Sequence, residues 1–448
     1  MELIEKDLRY IWHPYTQMKD TEEDPPILIE RAEGIKLYSA DGRVYYDTIA
    51  SWWCNVHGHC HPKIREAIKN QVDQLDHILF AGFTHKPAIL LAEKLISIAP
   101  KGLSKVFFSD NGSTSVETAL KLSFQYWHNL GRPEKKKFLS LEYGYHGDTL
   151  GAMSVSDLDP FNKCFGWLFY SGYKASAPYC YRCPVRMTRQ TCNIECAESV
   201  ENIVKARADE ICGIILEPLV FGAGGMIVYP KEYLEKVAEI ALRYNIHLIL
   251  DEVATGFGRT GKMFAVEHTH IQPDFLCLSK GITGGVLPLG ATLTTDKIYY
   301  AFYDDYSKQK TFYHGHTYTA NPISTAAALA SLQVFEEEDT LGKIAKIIPI
   351  FHKGLEEFRE LPIVGDVRYI GMIGGFELVK DKSTKEPFSF SERIGYKVYK
   401  EGLKRGLILR PLGNTIYLFP PLCIKEEELT EIIRTTYSIL YLFDKEVL

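Results

Sequence analysis

Charge imbalance is missing from this chain. Its 51 Lys and Arg against 57 Asp and Glu leave a formal net charge of −6 over 448 residues. So small a field recruits neither nucleic acid nor an anionic membrane surface. Long apolar runs are missing as well, since no stretch approaches the ~20 residues that span a bilayer. The opening segment, MELIEKDLRYIWHPYTQMKD, is charged from Glu2 onward and lacks the apolar core of a secretory signal. We therefore expect no membrane or nucleic-acid partner and a cytoplasmic location. Cysteine is sparse too: ten in so long a chain do not make a disulfide scaffold.

Four of those cysteines nevertheless cluster, Cys180, Cys183, Cys192 and Cys196, in YCYRCPVRMTRQTCNIEC. The spacing C-x2-C-x8-C-x3-C is compatible with a tetrathiolate zinc site. Its second half departs from the usual C-x2-C knuckle, so no metal is assigned, and reduced or paired thiols are the alternative.

A hydrophobic fraction of 46% with 24% charged residues is that of a soluble globular protein with material for a large core. Strand-like runs alternate with helical patterns: KVFFSD, KFLSLE, ICGIILEP, HLILDE, FLCLSKG and LGATLTT. They are apolar on both faces, as in a mostly parallel sheet covered on both sides. Val116, Leu120 and Phe124 recur at helical spacing after the first run, and KEYLEKVAEIALRYN is a second helix. The expected fold class is α/β. Residues 61–330 form the large domain. Hairpin-like strands and helices over 331–448 form a smaller α+β domain, against which residues 1–60 pack, with a hairpin turned at Asp41-Gly42.

Ligands of open α/β sheets bind beyond the carboxyl ends of the strands. Asp251 ends one such strand, in HLILDEVATGFGRTG, and Lys280 follows another, in LCLSKGITGG. SDNGST turns directly into a helix, so Gly112 and Ser113 offer a phosphate-binding N-terminus; the bland alternative is that Ser113 or Ser115 is only a helix cap. A strand-end lysine often just reaches water. Partly desolvated, its amine becomes a nucleophile. Buried acid, desolvated lysine and phosphate cradle together fit pyridoxal 5′-phosphate. A dinucleotide is disfavoured, because FGAGGMIVYP does not form G-x-G-x-x-G opening a helix.

LILDEVATGFGRTGKMFAVEH and QPDFLCLSKGITGG together resemble the signature of the class III, fold-type I aminotransferases, and the likeness runs from HPYTQM to ILRPLGNTIYLFPP. It implies that Lys280 carries the cofactor, that Asp251 pairs with its ring nitrogen, and that Tyr145 of YGYHGDT lies against its ring. NGS matches the phosphate loop. HGHTYTANP, with Gly315 and Thr317, matches a loop reaching the neighbouring subunit's site, which implies a homodimer. WHPYTQM and SWWCNVHGHCHP are unlike the ornithine and 4-aminobutyrate branches. They resemble a branch serving biotin formation, with 8-amino-7-oxononanoate as acceptor and S-adenosylmethionine as donor. That likeness implies a substrate pocket lined by Tyr15, Trp52, Trp53, Tyr145 and Gly315, with a substrate carboxylate on Arg410, and Tyr15 beside Lys280 and Asp251 among the catalytic residues. Core or interface packing is the alternative for the tryptophans, a structural ion pair for Arg410. Arg259 is given no role. Lysine as donor, another ω-amine transaminase, and a non-catalytic cofactor-binding regulator are the remaining readings; no basic DNA-binding segment supports the last.

Overall fold

The computed structural model describes residues 2–159 and 161–447; Met1, Pro160 and Leu448 lie outside the described residues. A seven-stranded sheet forms the centre. Its strands are β1 (Leu103–Ser109), β2 (Lys137–Leu141), β3 (Tyr173–Ala175), β4 (Ile211–Leu216), β5 (His247–Asp251), β6 (Phe275–Leu278) and β7 (Gly290–Thr295). Their spatial order is β1-β7-β6-β5-β4-β2-β3. Only β7 runs antiparallel to its neighbours, β6 and β1; the other pairings are parallel. Every residue of β4, β5 and β6 is buried. Each fully buried Ile or Leu there contributes about 1.5–3 kcal/mol relative to exposure, which a sheet open to water on one face would forgo.

The helix Gly112–Asn129 follows β1 and buries Val116, Leu120, Ser123 and Trp127. Phe124, expected on that stripe, is exposed. At 3.6 residues per turn the buried stripe drifts from Leu120 to Ser123 and Trp127, and Phe124 rotates off it. Ser123 is accommodated by its hydroxyl, 2.9 Å from His247 Nδ1 on β5. Helix Lys231–Arg243 buries Tyr233, Leu234, Val237, Ile240 and Ala241 as its periodicity requires.

The hairpin of Lys36–Ser39 and Val44–Tyr46 turns at Asp41-Gly42, where Gly42 has φ 84°. It is tied to the C-terminal part by backbone bonds. Tyr46 N–H donates to Gly406 (2.7 Å), Phe419 N–H to Thr48 (2.8 Å) and Leu422 N–H to Val56 (2.8 Å). Val364–Ile370, Ile373–Asp381 and Thr415–Leu418 form an antiparallel sheet in that part. Among the described residues no helix is long and apolar enough to cross a membrane.

Candidate active site

The carboxyl ends of β1, β2, β4, β5 and β6 converge on a cavity of about 420 Å³. Asp251, Lys280, Tyr145, Gly112, Ser113 and Trp53 all line it. The two adjacent acids at the end of β5 part company. Asp251 is buried and faces the cavity. Its Oδ2 stands 2.7 Å from His146 Nδ1, and its Oδ1 accepts Val253 N–H at 3.1 Å. Glu252 faces away. It accepts Ala265 N–H (2.7 Å), Val266 N–H (2.8 Å) and the Thr255 hydroxyl (3.1 Å). Burial pushes its pKa up to about 7. Glu252 therefore folds the signature loop, leaving Asp251 to face a ligand.

Lys280 follows β6 with φ 44° and opens a single 3₁₀ turn. Its Nζ stands 4.7 Å over the Trp53 ring. Burial pushes the ammonium below its ordinary range, while Asp251 and Glu217 pull it back. Among the glycines after it, Gly285 meets backbone: a Cβ there, at φ 85°, would lie 2.7 Å from the Cys54 carbonyl. A side chain there would push the Lys280 turn off the Trp53 segment.

Gly112 and Ser113 begin their helix, as expected, but neither serine is its cap. Asn111 is, its side chain accepting Thr114 N–H at 3.0 Å in a capping box. Ser113 Oγ accepts Asp148 N–H at 3.1 Å, and Ser115 donates to the Ala291 carbonyl at 3.0 Å on β7. Gly147, at φ 125°, packs so closely that a Cβ would fall 2.1 Å from Ser113 Oγ. With the cap role taken by Asn111, the first amides of the helix remain available to an anion.

Tyr15 crosses from the N-terminal segment to the cavity mouth. Its hydroxyl lies 2.7 Å from both Asp148 oxygens and 3.3 Å from the Tyr145 hydroxyl. Burial, joined by Asp148, pushes its pKa up to about 12, against the opposing Tyr145 bond. Its ring meets Trp52 edge-on at 5.5 Å. Trp52 is 39% exposed and Trp53 4%. Arg410 reaches over Trp52 at 5.0 Å and its Nη2 donates to the Tyr15 carbonyl at 3.4 Å. It is in none of the ion pairs found among the described residues. Trp53 also packs on Tyr417 and Phe419, so it belongs to core and cavity alike.

Gly315 and Thr317 do not join this set. Both are exposed, on a loop away from the cavity lining. Arg259 is fully buried and takes up carbonyls rather than an anion, donating to Pro420 (2.6 Å) and Asn55 (2.5 Å) over the Phe419 ring. Burial lowers its pKa to about 9. The clamp joins the Trp53 segment to the C-terminal part.

The cysteines Cys180, Cys183, Cys192 and Cys196 line a separate small apolar hollow and are free thiols. Among the described residues no group of three or more His, Cys, Asp or Glu side chains is placed to hold a metal ion. Cys180 is exposed and Cys196 buried. The C-x3-C half, with its one extra residue, runs into a 3₁₀ turn at Glu195–Ala197.

Two residues of the site, Glu217 and His146, are not among those the sequence points to. Glu217, just past β4, lines the cavity and accepts Tyr145 N–H (3.0 Å) and Gly222 N–H (2.9 Å). Burial, then the Asp251 charge, pushes its pKa up to about 8. Like Asp251, Glu217 of LEP interrupts an apolar run at its carboxyl end, the sequence signal of a ligand-side residue. His146 gave no comparable signal.

The family model for class III aminotransferases matches residues 17–440. The adenosylmethionine-8-amino-7-oxononanoate aminotransferase of Geobacter sulfurreducens is 50% identical over 424 residues, 94% of each chain. The protein of the same name from Methanocaldococcus jannaschii is 46% identical over 98% of each. Its crystal structure superposes with a TM-score of 0.93 over 98% of each chain at 45% identity. The omega transaminase of Pseudomonas jessenii in complex with PMP superposes at 0.94, with 33% identity over 100% of this chain and 99% of that one. The α/β fold, the full-length match and the cavity at the strand ends agree: this chain belongs to the class III aminotransferases and is a pyridoxal-phosphate-dependent transaminase.

Proposed function

We propose that the chain converts 8-amino-7-oxononanoate to 7,8-diaminononanoate, a step of biotin formation, with S-adenosylmethionine as amino donor. One observation carries the reading. Lys280 and Asp251 share a cavity lined also by Tyr145, whose hydroxyl lies 3.3 Å from that of Tyr15, and Tyr15 packs edge-on against Trp52, over which Arg410 reaches. The names of the G. sulfurreducens and M. jannaschii relatives support the substrates.

The residues fit the cofactor. Asp251, oriented by His146, would pair with its ring nitrogen, Gly112 and Ser113 with its phosphate, and Tyr145 with its ring face. When bound, pyridoxal phosphate supplies an electron-accepting ring that makes the donor's α-proton removable. Lys280 carries the cofactor and moves that proton at Nζ, as base and then as acid. Burial lowers its pKa from the ordinary lysine range, against the pull of Asp251 and Glu217, and that direction favours the free amine. Trp53 backs the amine and keeps water from it. Arg410, in no ion pair among the described residues, would take a substrate carboxylate in a bidentate fork. The large domain is residues 61–330, and 1–60 with 331–448 make the smaller one.

Aromatic walls suit a sulfonium and an adenine. A second reading, free lysine as donor, draws on Asp148, an acid at the mouth able to face an ammonium. Both Asp148 oxygens already lie within bonding distance of the Tyr15 hydroxyl, and the adenosylmethionine reading stands ahead of it. Steady-state rates with the two donors at matched concentration should favour adenosylmethionine. Trp52→Ala should cost it about 1–3 kcal/mol in kcat/KM. A better rate with lysine would reverse the donor assignment and leave the transaminase intact.

The exposed Gly315 and Thr317 loop supports a homodimer in which Thr317 of the partner subunit reaches the cofactor phosphate. Mixing Lys280→Ala chains with Thr317→Ala chains should then restore part of the activity through hybrid dimers. Sedimentation of a fully active monomer would overturn it.

A further inference from the structure

Four consecutive residues, Ala50, Ser51, Trp52 and Trp53, have φ of 50°, 47°, 76° and 75°. The turn is closed by helix-type bonds, Trp53 N–H to the Ile49 carbonyl and Cys54 N–H to the Ala50 carbonyl, both at 2.9 Å. It is a left-handed helical turn built without glycine. Each such residue crowds its Cβ against the following carbonyl, so left-handed runs do not persist unaided.

The restraint comes from Asp47. Its buried carboxylate accepts Ser51 N–H on Oδ1 at 2.8 Å, and on Oδ2 the Ser51 hydroxyl at 2.7 Å. His59 Nε2 lies 2.9 Å from the same Oδ2 and holds the carboxylate from behind. Handedness decides where the indoles point. Trp53 goes inward beneath Lys280 and against Tyr417. Trp52 stays outside the cavity lining, partly exposed between Tyr15 and Arg410. Asp47 itself is absent from the cavity lining.

We propose that Asp47 is a positioning residue of the substrate pocket: by holding Ala50–Trp53 left-handed it sets Trp52 and Trp53 on their two walls and so governs the fit of the amino donor. The inference rests on the reading above that these tryptophans line the substrate pocket.

The test compares the holoenzyme with Asp47→Ala, Asp47→Asn and the double variant Asp47→Ala/Ser51→Gly. It reads kcat and KM for the donor separately, the near-ultraviolet circular dichroism of the indoles, and the cofactor absorption band. Asp47→Ala should raise KM about tenfold or more through misplaced indoles. It should alter the indole dichroism and keep the cofactor band. Glycine at position 51 occupies positive φ freely, so the double variant should recover several-fold of the lost KM and part of the dichroism. A purely electrostatic or folding role for Asp47 predicts no such rescue. Asp47→Asn keeps one acceptor oxygen and should fall between; if Asp47→Ala does not fold, Asp47→Asn and Ser51→Ala must still change the dichroism. Unchanged dichroism, a fall in kcat at constant KM, or no rescue by glycine each overturns the proposal. The dichroism and its rescue do not depend on the donor. Turnover with adenosylmethionine beside unchanged dichroism would sink Asp47 alone, and altered, rescued dichroism without that turnover would sink the donor assignment alone.

Discussion

Lys280→Ala should lower transamination by at least about 10⁴-fold, the upper range for losing one acid–base group, since the covalent anchor goes with it. Nζ has no substitute within the cavity: the lining residues from Trp53 to Leu289 include no other lysine. Borohydride treatment of the wild-type holoenzyme should leave a pyridoxyl mass on the peptide containing Lys280, and the variant should show none. A reduced adduct on any other lysine, or residual activity within a hundredfold of wild type, would sink the assignment. The variant should still fold. Lys280 enters no hydrogen bond on which the Ser279 anchor to the Leu289 carbonyl (2.7 Å) depends.

Asp251→Asn should cost about 10³-fold in kcat/KM, comparable to removing one preorganised electrostatic partner in a buried site. Asparagine keeps the shape and an oxygen for Val253 N–H. It loses the charge that faces the cavity and the strong partner of His146 Nδ1. His146 Nε2 is buried without a hydrogen-bond partner among the described residues, so the imidazole relies on Asp251 to fix it. Cofactor content measured by absorbance separates weak binding from slow chemistry. A loss below tenfold with full cofactor content would show that Asp251 does not serve the ring nitrogen.

The sheet was legible because its strands are buried on both faces, so apolar runs as short as FLCL stand out without periodicity. Asp251 and Lys280 were legible for a related reason. Polar residues interrupting such runs at their carboxyl ends mark the ligand side of an α/β sheet. Residues whose meaning is tertiary were not. Nothing in YGYHG says that His146 will stand 2.7 Å from a carboxylate a hundred residues on. Asn111 took the cap from the serines because the chain enters that helix two residues before Ser113 and four before Ser115. ASWW reads as an ordinary short segment, since its left-handed path is imposed by Asp47 and His59 from outside it.

The antiparallel strand has a consequence for the order in which the molecule can be built. β1 finds its sheet partner only in β7, the last of the seven strands in the chain. The turn that leaves β1 leans on the same late strand: a Cβ on Gly290 would lie 2.3 Å from the Asn111 carbonyl, and Ser115 bonds to Ala291. During synthesis the anion cradle is therefore made early and braced late. Lys280 has already left the ribosome by the time Gly290 follows it. Amine and cradle thus mature in the same brief interval of elongation, and a nascent chain does not hold a finished half-site ahead of the other half.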